Sequence, residues 1–399
     1  MSVAQPRDWP VHGLDVTALL ARGWSPEPFR EFILKLHSRC NLACDYCYVY
    51  EAEDQSWRSR PAAISEATIS RVALRIAEHV ETHGLDEVDV VLHGGEPLLA
   101  GMKTIDFIAT EIRSALPASC HVDFTMQTNG VLLTEQVLDR LESHRVGVAV
   151  SLDGDQAGHD RHRRYANGKG SHFAVRRGLD LLATRYRHLY RGILCAIDLA
   201  NDPVTTYEAL LDTGPPQIDF LLPHGTWTVP PPGHDGESAP YARWLTAAFD
   251  RWYRAGERET GVRLFEEIMN MVLGGHSASE NIGLSPVVMV VVETDGTLQQ
   301  VDTLKTSFHG APETGLNVFR HSFDAALHHP GVVARQIGVD ALCEECQRCP
   351  VRDLCGGGAY AHRYREGAGY LNPSVYCSDL FRLVRHIETA VHEDLARLA

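Results

Sequence analysis

The chain has 399 residues and a net charge of −15, with 44% hydrophobic and 22% charged residues. This composition is typical of a globular protein, and the length predicts two domains rather than one. The acidic balance argues against nucleic-acid binding, because phosphate contacts need clustered Lys and Arg. No apolar run is long enough to cross a membrane, and residues 1–30 lack the apolar core of a secretory signal. We therefore expect a cytoplasmic protein that binds neither nucleic acid nor membrane.

Short apolar runs alternate with segments of helical periodicity between residues 31 and 225. The apolar runs predict six strands, at 32–37, 88–92, 121–127, 146–151, 192–197 and 219–222. The intervening segments predict five helices, at 65–83, 103–115, 134–143, 171–185 and 204–211. Such alternation is typical of parallel βα units. Six strands predict an α/β fold with a partial (β/α)6 barrel of the TIM type.

The composition changes after this barrel. Seven prolines between residues 214 and 240 indicate a connector, and residues 241–273 have a helical pattern. A β-hairpin is predicted at 287–301, around the turn Thr294-Asp295-Gly296. We predict five parts: an N-terminal extension (1–28), the barrel (29–225), a connector with bridging helices (226–282), a smaller cysteine-rich domain with the hairpin (283–380) and a C-terminal helix (381–399).

Three cysteines, Cys40, Cys44 and Cys47, lie in the loop after the first predicted strand. In a reducing cytosol, metal ligation is a commoner use of cysteine than disulfide formation. Thiolates are the usual ligands of iron–sulfur clusters, and three of them leave one iron of a four-iron cluster open to a substrate. A structural zinc site normally has four protein ligands. The alternatives are zinc with a distant fourth ligand, or simple loop cysteines.

Polar motifs follow the later strands of the predicted barrel. They read His93-Gly94-Gly95-Glu96-Pro97, Gln127-Thr128-Asn129-Gly130, Ser151-Leu152-Asp153-Gly154 and Leu222-Pro223. Barrels of this kind carry their chemistry at the carboxyl ends of the strands. These motifs and the cysteine loop are therefore predicted to meet at one mouth.

A second group of cysteines comprises Cys343, Cys346, Cys349, Cys355 and Cys377. Spacing alone does not separate an iron–sulfur ligand set from a four-cysteine zinc site. The presence of the first cluster in the same chain favours iron–sulfur.

The spacing Cys-x3-Cys-x-aromatic-Cys resembles the signature of the radical S-adenosylmethionine (SAM) superfamily. The resemblance implies that Cys40, Cys44 and Cys47 ligate a 4Fe–4S cluster whose open iron holds SAM. It also implies SAM contacts by the Gly94-Gly95-Glu96 turn, by Tyr46 near the adenine, and by Ser151 and Arg163 near the ribose and carboxylate. The full set predicted to bind SAM is Tyr46, Gly94, Gly95, Glu96, Asn129, Ser151, Asp153, Arg163 and Leu222.

The second cysteine group resembles the SPASM domain, the auxiliary-cluster module of peptide-modifying radical SAM enzymes. The resemblance implies one auxiliary 4Fe–4S cluster, ligated by Cys346, Cys349, Cys355 and Cys377. A full SPASM pattern has two more cysteines framing the hairpin and another four residues after the Cys355 position. This hairpin has none and Ala359 stands at the later position, so the other auxiliary cluster is predicted to be absent. Cys343 is left over as a predicted free thiol.

An acid follows the second hairpin cysteine in SPASM enzymes with two auxiliary clusters and can take a proton from the substrate. Val301 stands at that cysteine position here and Asp302 follows it. The resemblance therefore implies a catalytic role for Asp302. The alternative is a solvated aspartate in a turn.

The runs Cys355–Tyr364 and Asn372–Cys377, with Glu293–Gly296 and Asp302–Lys305, resemble the FxsB-type subgroup of these enzymes. The resemblance implies a radical SAM oxidoreductase that modifies ribosomally made peptides (RiPPs). Its product would be a cyclophane, joining an aromatic ring to the β-carbon of the residue two positions on. The implied partners are a precursor peptide and an electron donor such as ferredoxin or flavodoxin. The alternatives are a SPASM maturase that makes a thioether or formylglycine, and a zinc-stabilised peptide-binding protein without catalysis.

Overall fold

A ten-stranded sheet organises residues 9–398, which the computed structural model describes. Its order is β10-β9-β8-β1-β2-β3-β4-β5-β6-β7. The strands are β1 (Glu31–His37), β2 (Glu87–Gly94), β3 (His121–Thr128), β4 (Val146–Ser151), β5 (Tyr190–Ala196), β6 (Gln217–Leu221), β7 (Gly261–Val262), β8 (Met289–Val292), β9 (Thr297–Gln299) and β10 (Glu313–Asn317). Among these residues, no helix is long and apolar enough to cross a membrane.

Helices connect and cover the strands. They are α1 (Val16–Ala21), α2 (Glu66–His83), α3 (Met102–Ala115), α4 (Glu135–Ser143), α5 (Gln156–His162), α6 (His172–Thr184), α7 (Pro203–Leu211), α8 (Pro240–Tyr253), α9 (Arg263–Val272), α10 (Phe323–Leu327), α11 (Pro330–Val333), α12 (Glu344–Gln347), α13 (Arg352–Cys355) and α14 (Cys377–Leu398). Strands β1 to β6 pair in parallel in chain order. The predicted partial barrel is thus confirmed, and each of its six strands lies within two residues of its predicted ends.

Helix α2 shows why these segments fold where the sequence predicts. The Ser65 hydroxyl caps its first turn by accepting a hydrogen bond of 3.1 Å from the Thr68 amide, and Gly84 ends it in a left-handed conformation with φ 61°. Side chains at three- and four-residue spacing, such as Ile69 and Ile76, are buried. A helix with one apolar face packs that face against the sheet and leaves the other in water.

The predicted hairpin joins the sheet of the barrel and does not form a sheet of its own. Strand β8 pairs in parallel with β1, where Phe32 lies opposite Val290 and Leu34 opposite Val292. Strand β9 then pairs antiparallel with β8. The apolar β8 covers an edge of β1 that would otherwise be open to other chains. The domain boundary predicted at residue 283 therefore divides one continuous sheet.

Two predicted helices differ from the structure. Residues 241–273 form two helices, because the chain turns at 254–260 and β7 pairs with β6 before α9 begins. The C-terminal helix begins at Cys377, four residues before its predicted start, so a predicted cluster ligand is its first residue. Residues 1–8 of the predicted N-terminal extension, and Ala399, lie outside the described residues. The described part of the extension contains α1 and the buried Trp9.

Buried charges connect the segment after the cysteine loop to the hairpin. The Lys305 Nζ donates to Asp54 Oδ2 at 3.3 Å and to Glu293 Oε1 at 3.2 Å, and all three side chains are buried. The Arg60 guanidinium donates to both carboxylate oxygens of Asp295, at 2.9 and 2.8 Å. Removing one partner of a buried pair leaves an uncompensated charge in the interior. The hairpin and the cysteine loop are therefore held in a fixed relation.

Replacing Lys305 tests this connection. We expect Lys305→Met to lower the free energy of unfolding by about 3 kcal/mol, because Asp54 would remain buried without its lysine and Glu293 would keep only Arg60, at 3.7 Å. Denaturant titration followed by circular dichroism measures the change. Lys169→Met is the matched control, since Lys169 is exposed. Equal unfolding midpoints for the two variants would contradict the stabilising role of Lys305.

Candidate active site

The three cysteines of the first group lie together in the loop that leaves β1. The Cys40 sulfur accepts hydrogen bonds from the Leu42 amide at 3.4 Å and from Asn129 Nδ2 at 3.6 Å. Burial raises the pKa of Cys40 to about 11 and that of Cys44 to about 12, and the neighbouring thiols add to both shifts. Since thiolates are the ligating form, these cysteines need a cationic centre to hold them deprotonated.

The Gly94-Gly95 turn packs against the backbone just before Cys40. The Gly95 amide donates to the His37 carbonyl at 2.8 Å, and the Glu96 amide to the Arg39 carbonyl at 3.1 Å. A β-carbon at Gly95 would lie 2.5 Å from the Arg39 carbonyl oxygen, and one at Gly94 would lie 2.5 Å from that of His37. Glycine is therefore required here for contact between two loops, a reason that the sequence did not reveal.

The Glu96 carboxylate lies completely buried below this turn. It accepts hydrogen bonds from the Leu98 amide at 3.1 Å, the Thr128 hydroxyl at 2.8 Å and the Asn129 amide at 2.9 Å. Burial raises the pKa of Glu96 to about 7, although these three donors lower it. Asn129 in turn donates to Asn41 Oδ1 at 2.7 Å, next to Cys40. Glu96 thus connects the ends of β2 and β3 to the cysteine loop.

Asp153 connects the end of β4 to the same loop. Its Oδ2 accepts hydrogen bonds from the Tyr46 hydroxyl and, at 2.8 Å, from Arg163 Nε. Its Oδ1 accepts one from the Ala196 amide at 3.0 Å, at the end of β5. The Arg163 guanidinium lies 5.5 Å from the centre of the Tyr46 ring, a cation–π contact. Three of the residues predicted to bind SAM therefore form one contacting group.

Ser151 and Leu222 lie at the same edge of the barrel. The Ser151 hydroxyl accepts from Gln127 Nε2 at 3.1 Å. Leu222, after β6, lines a small cavity together with His224, Ala359 and His362. The carboxyl ends of β2, β3, β4 and β6 thus supply the residues that the sequence predicted to meet there.

Asp302 forms a buried ion pair that the sequence did not reveal. Lys35 of β1 is 3% exposed, donates to Asp302 Oδ2 and lies 2.9 Å from His93 Nδ1. Burial would raise the pKa of Asp302, but Lys35 and then Lys305 lower it to about 2. The other oxygen, Oδ1, is buried without a hydrogen-bond partner. Asp302 is therefore a buried carboxylate with one open acceptor and not a solvated turn residue. Lys35 lies inside the apolar run of β1, and this position could have indicated a buried ion pair from the sequence alone.

Four cysteines of the second group line one cavity. They are Cys346, Cys349, Cys355 and Cys377, the predicted ligands of the auxiliary cluster. The Arg363 guanidinium supports the loop after Cys355 by donating to the carbonyls of Gly356 at 2.6 Å and Gly358 at 2.8 Å. Cys343 is not among the lining residues, and its thiol hydrogen-bonds to Cys346, which lowers the pKa of Cys343. A role for Cys343 as a free thiol stays a prediction.

Apolar residues fill the surroundings of Val301, where a full SPASM pattern has a cysteine. Val301 belongs to a buried cluster with Trp9, Tyr360 and Tyr370. The Tyr360 and Tyr370 rings stack with their centres 4.5 Å apart. Ala359, four residues after Cys355, stands at another position where a full SPASM pattern has a cysteine, and it is 7% exposed. Neither side chain offers a metal ligand.

The sulfur spacing bears on the zinc alternative. The sulfurs of a tetrahedral zinc site lie about 3.8 Å apart, because each Zn–S bond is about 2.3 Å long. Within residues 9–398, no three cysteine sulfurs lie within 4.8 Å of one another; the group that meets this limit is His79, His83 and Asp324. One nitrogen of each histidine hydrogen-bonds to Asp324 Oδ1, His79 Nδ1 at 2.6 Å and His83 Nε2 at 2.9 Å. Among the described residues, neither cysteine set therefore has the close sulfur spacing of a four-thiolate zinc site.

Comparison with known proteins agrees with this geometry. Residues 34–195 match the model of the Radical SAM superfamily. A serine-type anaerobic sulfatase-maturating enzyme of Klebsiella aerogenes is 24% identical, over 90% of this chain and 86% of its own. The structure of anSMEcpe with bound AdoMet and Kp18Cys peptide has a TM-score of 0.79 at 19% identity, covering 92% of this chain and 99% of that chain. SuiB of Streptococcus suis bound to precursor peptide SuiA has a TM-score of 0.58 at 13% identity, covering 90% and 78%.

A partial barrel whose first strand leads into three cysteines, with polar residues at the ends of the next strands, is the radical SAM fold. The match over residues 34–195 and the shared fold support a radical SAM enzyme, whose chemistry uses SAM and iron–sulfur clusters. The sequence resemblance to this superfamily is thereby supported.

The pKa of Glu96 makes a prediction about SAM binding. If ionised Glu96 receives the SAM amino group, affinity rises with pH, because the ionised fraction grows from about one-tenth at pH 6 to about nine-tenths at pH 8. We expect binding to tighten about ninefold over this range. Equilibrium dialysis with anaerobically reconstituted enzyme measures it. Glu96→Gln should lose the pH dependence, and Glu87→Gln, an exposed change on the same strand, should keep it. A pH-independent dissociation constant in the unmodified enzyme would rule out this contact.

Proposed function

We propose that this enzyme forms a carbon–carbon cyclophane in a ribosomally made peptide, joining an aromatic side chain to the β-carbon of the residue two positions on. The observation that carries the proposal is the composition of the cysteine-rich region. Four cysteines line one cavity, whereas Val301 and Ala359 occupy two positions of the other auxiliary ligand set with apolar side chains. The missing auxiliary ligands, together with the runs that resemble the FxsB-type subgroup, favour a cyclophane over the products of a full SPASM maturase.

The ligand sets follow from the same arrangement. Cys40, Cys44 and Cys47 would hold the SAM cluster, and Cys346, Cys349, Cys355 and Cys377 the auxiliary one. When bound, the SAM cluster and SAM supply the 5′-deoxyadenosyl radical that removes a hydrogen atom from the peptide β-carbon. The chain itself fixes the reacting groups through the contacts of Glu96, Asp153 and Arg163 with the cysteine loop.

A peptide substrate is supported by the similar folds that hold peptides, anSMEcpe with the Kp18Cys peptide and SuiB with SuiA. In an extended peptide, side chains two residues apart point to the same face. An extended segment at the barrel mouth would therefore present both the aromatic ring and the β-carbon to one radical. An external donor such as ferredoxin or flavodoxin would supply the electron for SAM cleavage.

Asp302 has the properties of a proton acceptor for the last step. After the β-carbon bonds to the ring, the ring must lose one electron and one proton to become aromatic again. We assign the electron to the auxiliary cluster and the proton to Asp302 Oδ1, the buried oxygen without a partner. A carboxylate whose pKa is about 2 is a weak base. The electron therefore leaves first, because the resulting ring cation is a strong acid.

Formylglycine formation is the second candidate. It is favoured by relatives such as the Klebsiella aerogenes sulfatase-maturating enzyme, which matches over 90% of this chain. Oxidation of a serine to formylglycine also removes two hydrogens, so mass alone does not separate the two reactions. An aldehyde-specific hydrazide does: a labelled product indicates formylglycine, and an unlabelled one supports the crosslink.

Metal analysis tests the ligand sets. We expect about eight irons per chain after anaerobic reconstitution, and about four in both Cys44→Ala and Cys355→Ala, because each loses one four-iron cluster. Cys44→Ala should form no 5′-deoxyadenosine under dithionite, whereas Cys355→Ala should retain some. Cys120→Ala, outside both groups, is the control and should keep about eight irons. Twelve irons, or stoichiometric zinc, would contradict the assignment.

The product tests the reaction. Mass spectrometry of a co-expressed precursor should show a loss of two mass units per crosslink, with loss of one β-deuterium when the residues are β-deuterated. Asp302→Asn should still form 5′-deoxyadenosine but lose crosslinked product, because the ring proton has no acceptor. Asp86→Asn, an exposed change just before β2, should leave the yield unchanged. Full retention of β-deuterium would refute the crosslink, and unchanged yield in Asp302→Asn would remove that residue from the mechanism.

A further inference from the structure

A row of aromatic side chains runs between the two cysteine groups. The Tyr48 and His224 rings lie with their centres 4.6 Å apart, edge to face. The centres of the His224 and His362 rings are 5.6 Å apart, and the nitrogens Nδ1 and Nε2 approach to 3.4 Å. The centres of the His362 and Tyr376 rings are 5.0 Å apart. Each ring in the row is thus in contact with the next.

Both ends of this row are bonded to predicted cluster ligands. Tyr48 directly follows Cys47, and Tyr376 directly precedes Cys377. The row therefore extends from the loop of the SAM cluster to the cavity of the auxiliary cluster. Its two middle members come from separate parts of the fold, His224 from the loop after β6 and His362 from the cysteine-rich region. Their meeting is a product of tertiary structure and not of local sequence.

Two rings of the row, Tyr48 and His224, are half-buried, and the other two are buried. His362 is 4% exposed and Tyr376 is fully buried. Burial lowers the pKa of His224 to about 4 and that of His362 well below its ordinary value, so both imidazoles are neutral near pH 7. The Tyr376 hydroxyl donates to the Pro223 carbonyl and fixes the loop that carries His224. A row of neutral aromatic rings in contact is suited to electron transfer, because it leaves only short steps between the two cysteine groups.

We propose that Tyr48, His224, His362 and Tyr376 form the electron path between the site of peptide chemistry and the auxiliary cluster. The proposal rests on the proposed function in one respect, the presence of a cluster at each end. In turnover, the crosslinked ring radical is oxidised by one electron, the oxidised auxiliary cluster is reduced by that electron, and the ring proton passes to Asp302. In a full SPASM pattern another cluster would occupy the region of Val301 and Ala359; here the aromatic row bridges the two groups.

The test uses the reconstituted holoenzyme and SAM, without any peptide. Both clusters are reduced with dithionite, the excess is removed, and SAM is added. Cleavage of SAM consumes the electron of the SAM cluster. If the path is intact, the electron of the reduced auxiliary cluster then passes to the SAM cluster. The signal of the reduced auxiliary cluster in electron paramagnetic resonance should therefore decay after SAM addition. Iron content is measured first and shows whether both clusters are present. A missing cluster would contradict the proposed function, whereas a failure of electron transfer with both clusters present would contradict the path.

Variants at the centre of the row give the decisive comparison. His362→Leu and His224→Leu remove a ring at separate points, and each should lose the decay of the auxiliary signal while keeping its iron. His362→Phe restores a ring and should restore the decay. His172→Leu is the matched control, because His172 forms a similar pair with His159, also 5.6 Å between centres, away from the row. Cys44→Ala should keep the auxiliary signal indefinitely, since it lacks the cluster that drains it.

The outcomes separate the path from a structural role. A decay in both leucine variants as fast as in the unmodified enzyme would overturn the proposal. So would a loss of decay in His362→Phe equal to that in His362→Leu, because a conjugated ring would then be irrelevant. Loss of the decay in the leucine variants with recovery in His362→Phe, at equal iron content, supports it.

Discussion

The active site depends on the hydrogen bonding of β1 on both of its edges. On one side β1 pairs with β2 and on the other with β8, both in parallel. Because parallel strands direct their carboxyl ends to one edge of a sheet, three segments are delivered to the same place. These are the cysteine loop after β1, the Gly94-Gly95 turn after β2, and the hairpin turn after β8. The second strand of the hairpin, β9, runs back antiparallel to β8, and Asp302, which follows it, is held by the contact with Lys35 of β1.

Buried charges hold the loops that the sheet brings together. Asp153 fixes Tyr46 and Arg163, Lys305 fixes Asp54 and Glu293, and Arg363 fixes the backbone after Cys355. All three groups are desolvated. Asp153 and Lys305 have partners from distant parts of the chain, Tyr46 and Asp54, whereas Arg363 donates to backbone carbonyls five to seven residues away. Such contacts fix the relative positions of the loops, because a displaced partner leaves a buried charge uncompensated. They are therefore suited to loops that must keep metal ligands and substrate groups in register.

Much of this arrangement could be predicted from the sequence, because its signals are local. The period of the apolar runs located the six strands. The cysteine spacings predicted two ligand sets, and the four cysteines of the second set line one cavity. The pairing of β8 with β1 could not be predicted, since it joins residues about 250 positions apart and no local pattern encodes it. The break between α8 and α9 was missed because both halves have the same helical period. Lys35 and the row through His224 and His362 are tertiary contacts, which become visible only when the loops are in place.

The burial of Trp9 has a consequence for the order in which the molecule is assembled. Trp9 packs against Tyr360, and its backbone oxygen would lie 2.6 Å from a β-carbon at Gly369. Trp9 is made well before Tyr360 and Gly369, which lie about 350 positions further along the chain. Since chains fold from the amino end during synthesis, the barrel can form while Trp9 still has no binding site. The indole is packed only after the cysteine-rich region has been made, so that a residue from before the barrel is fixed by a region that follows it.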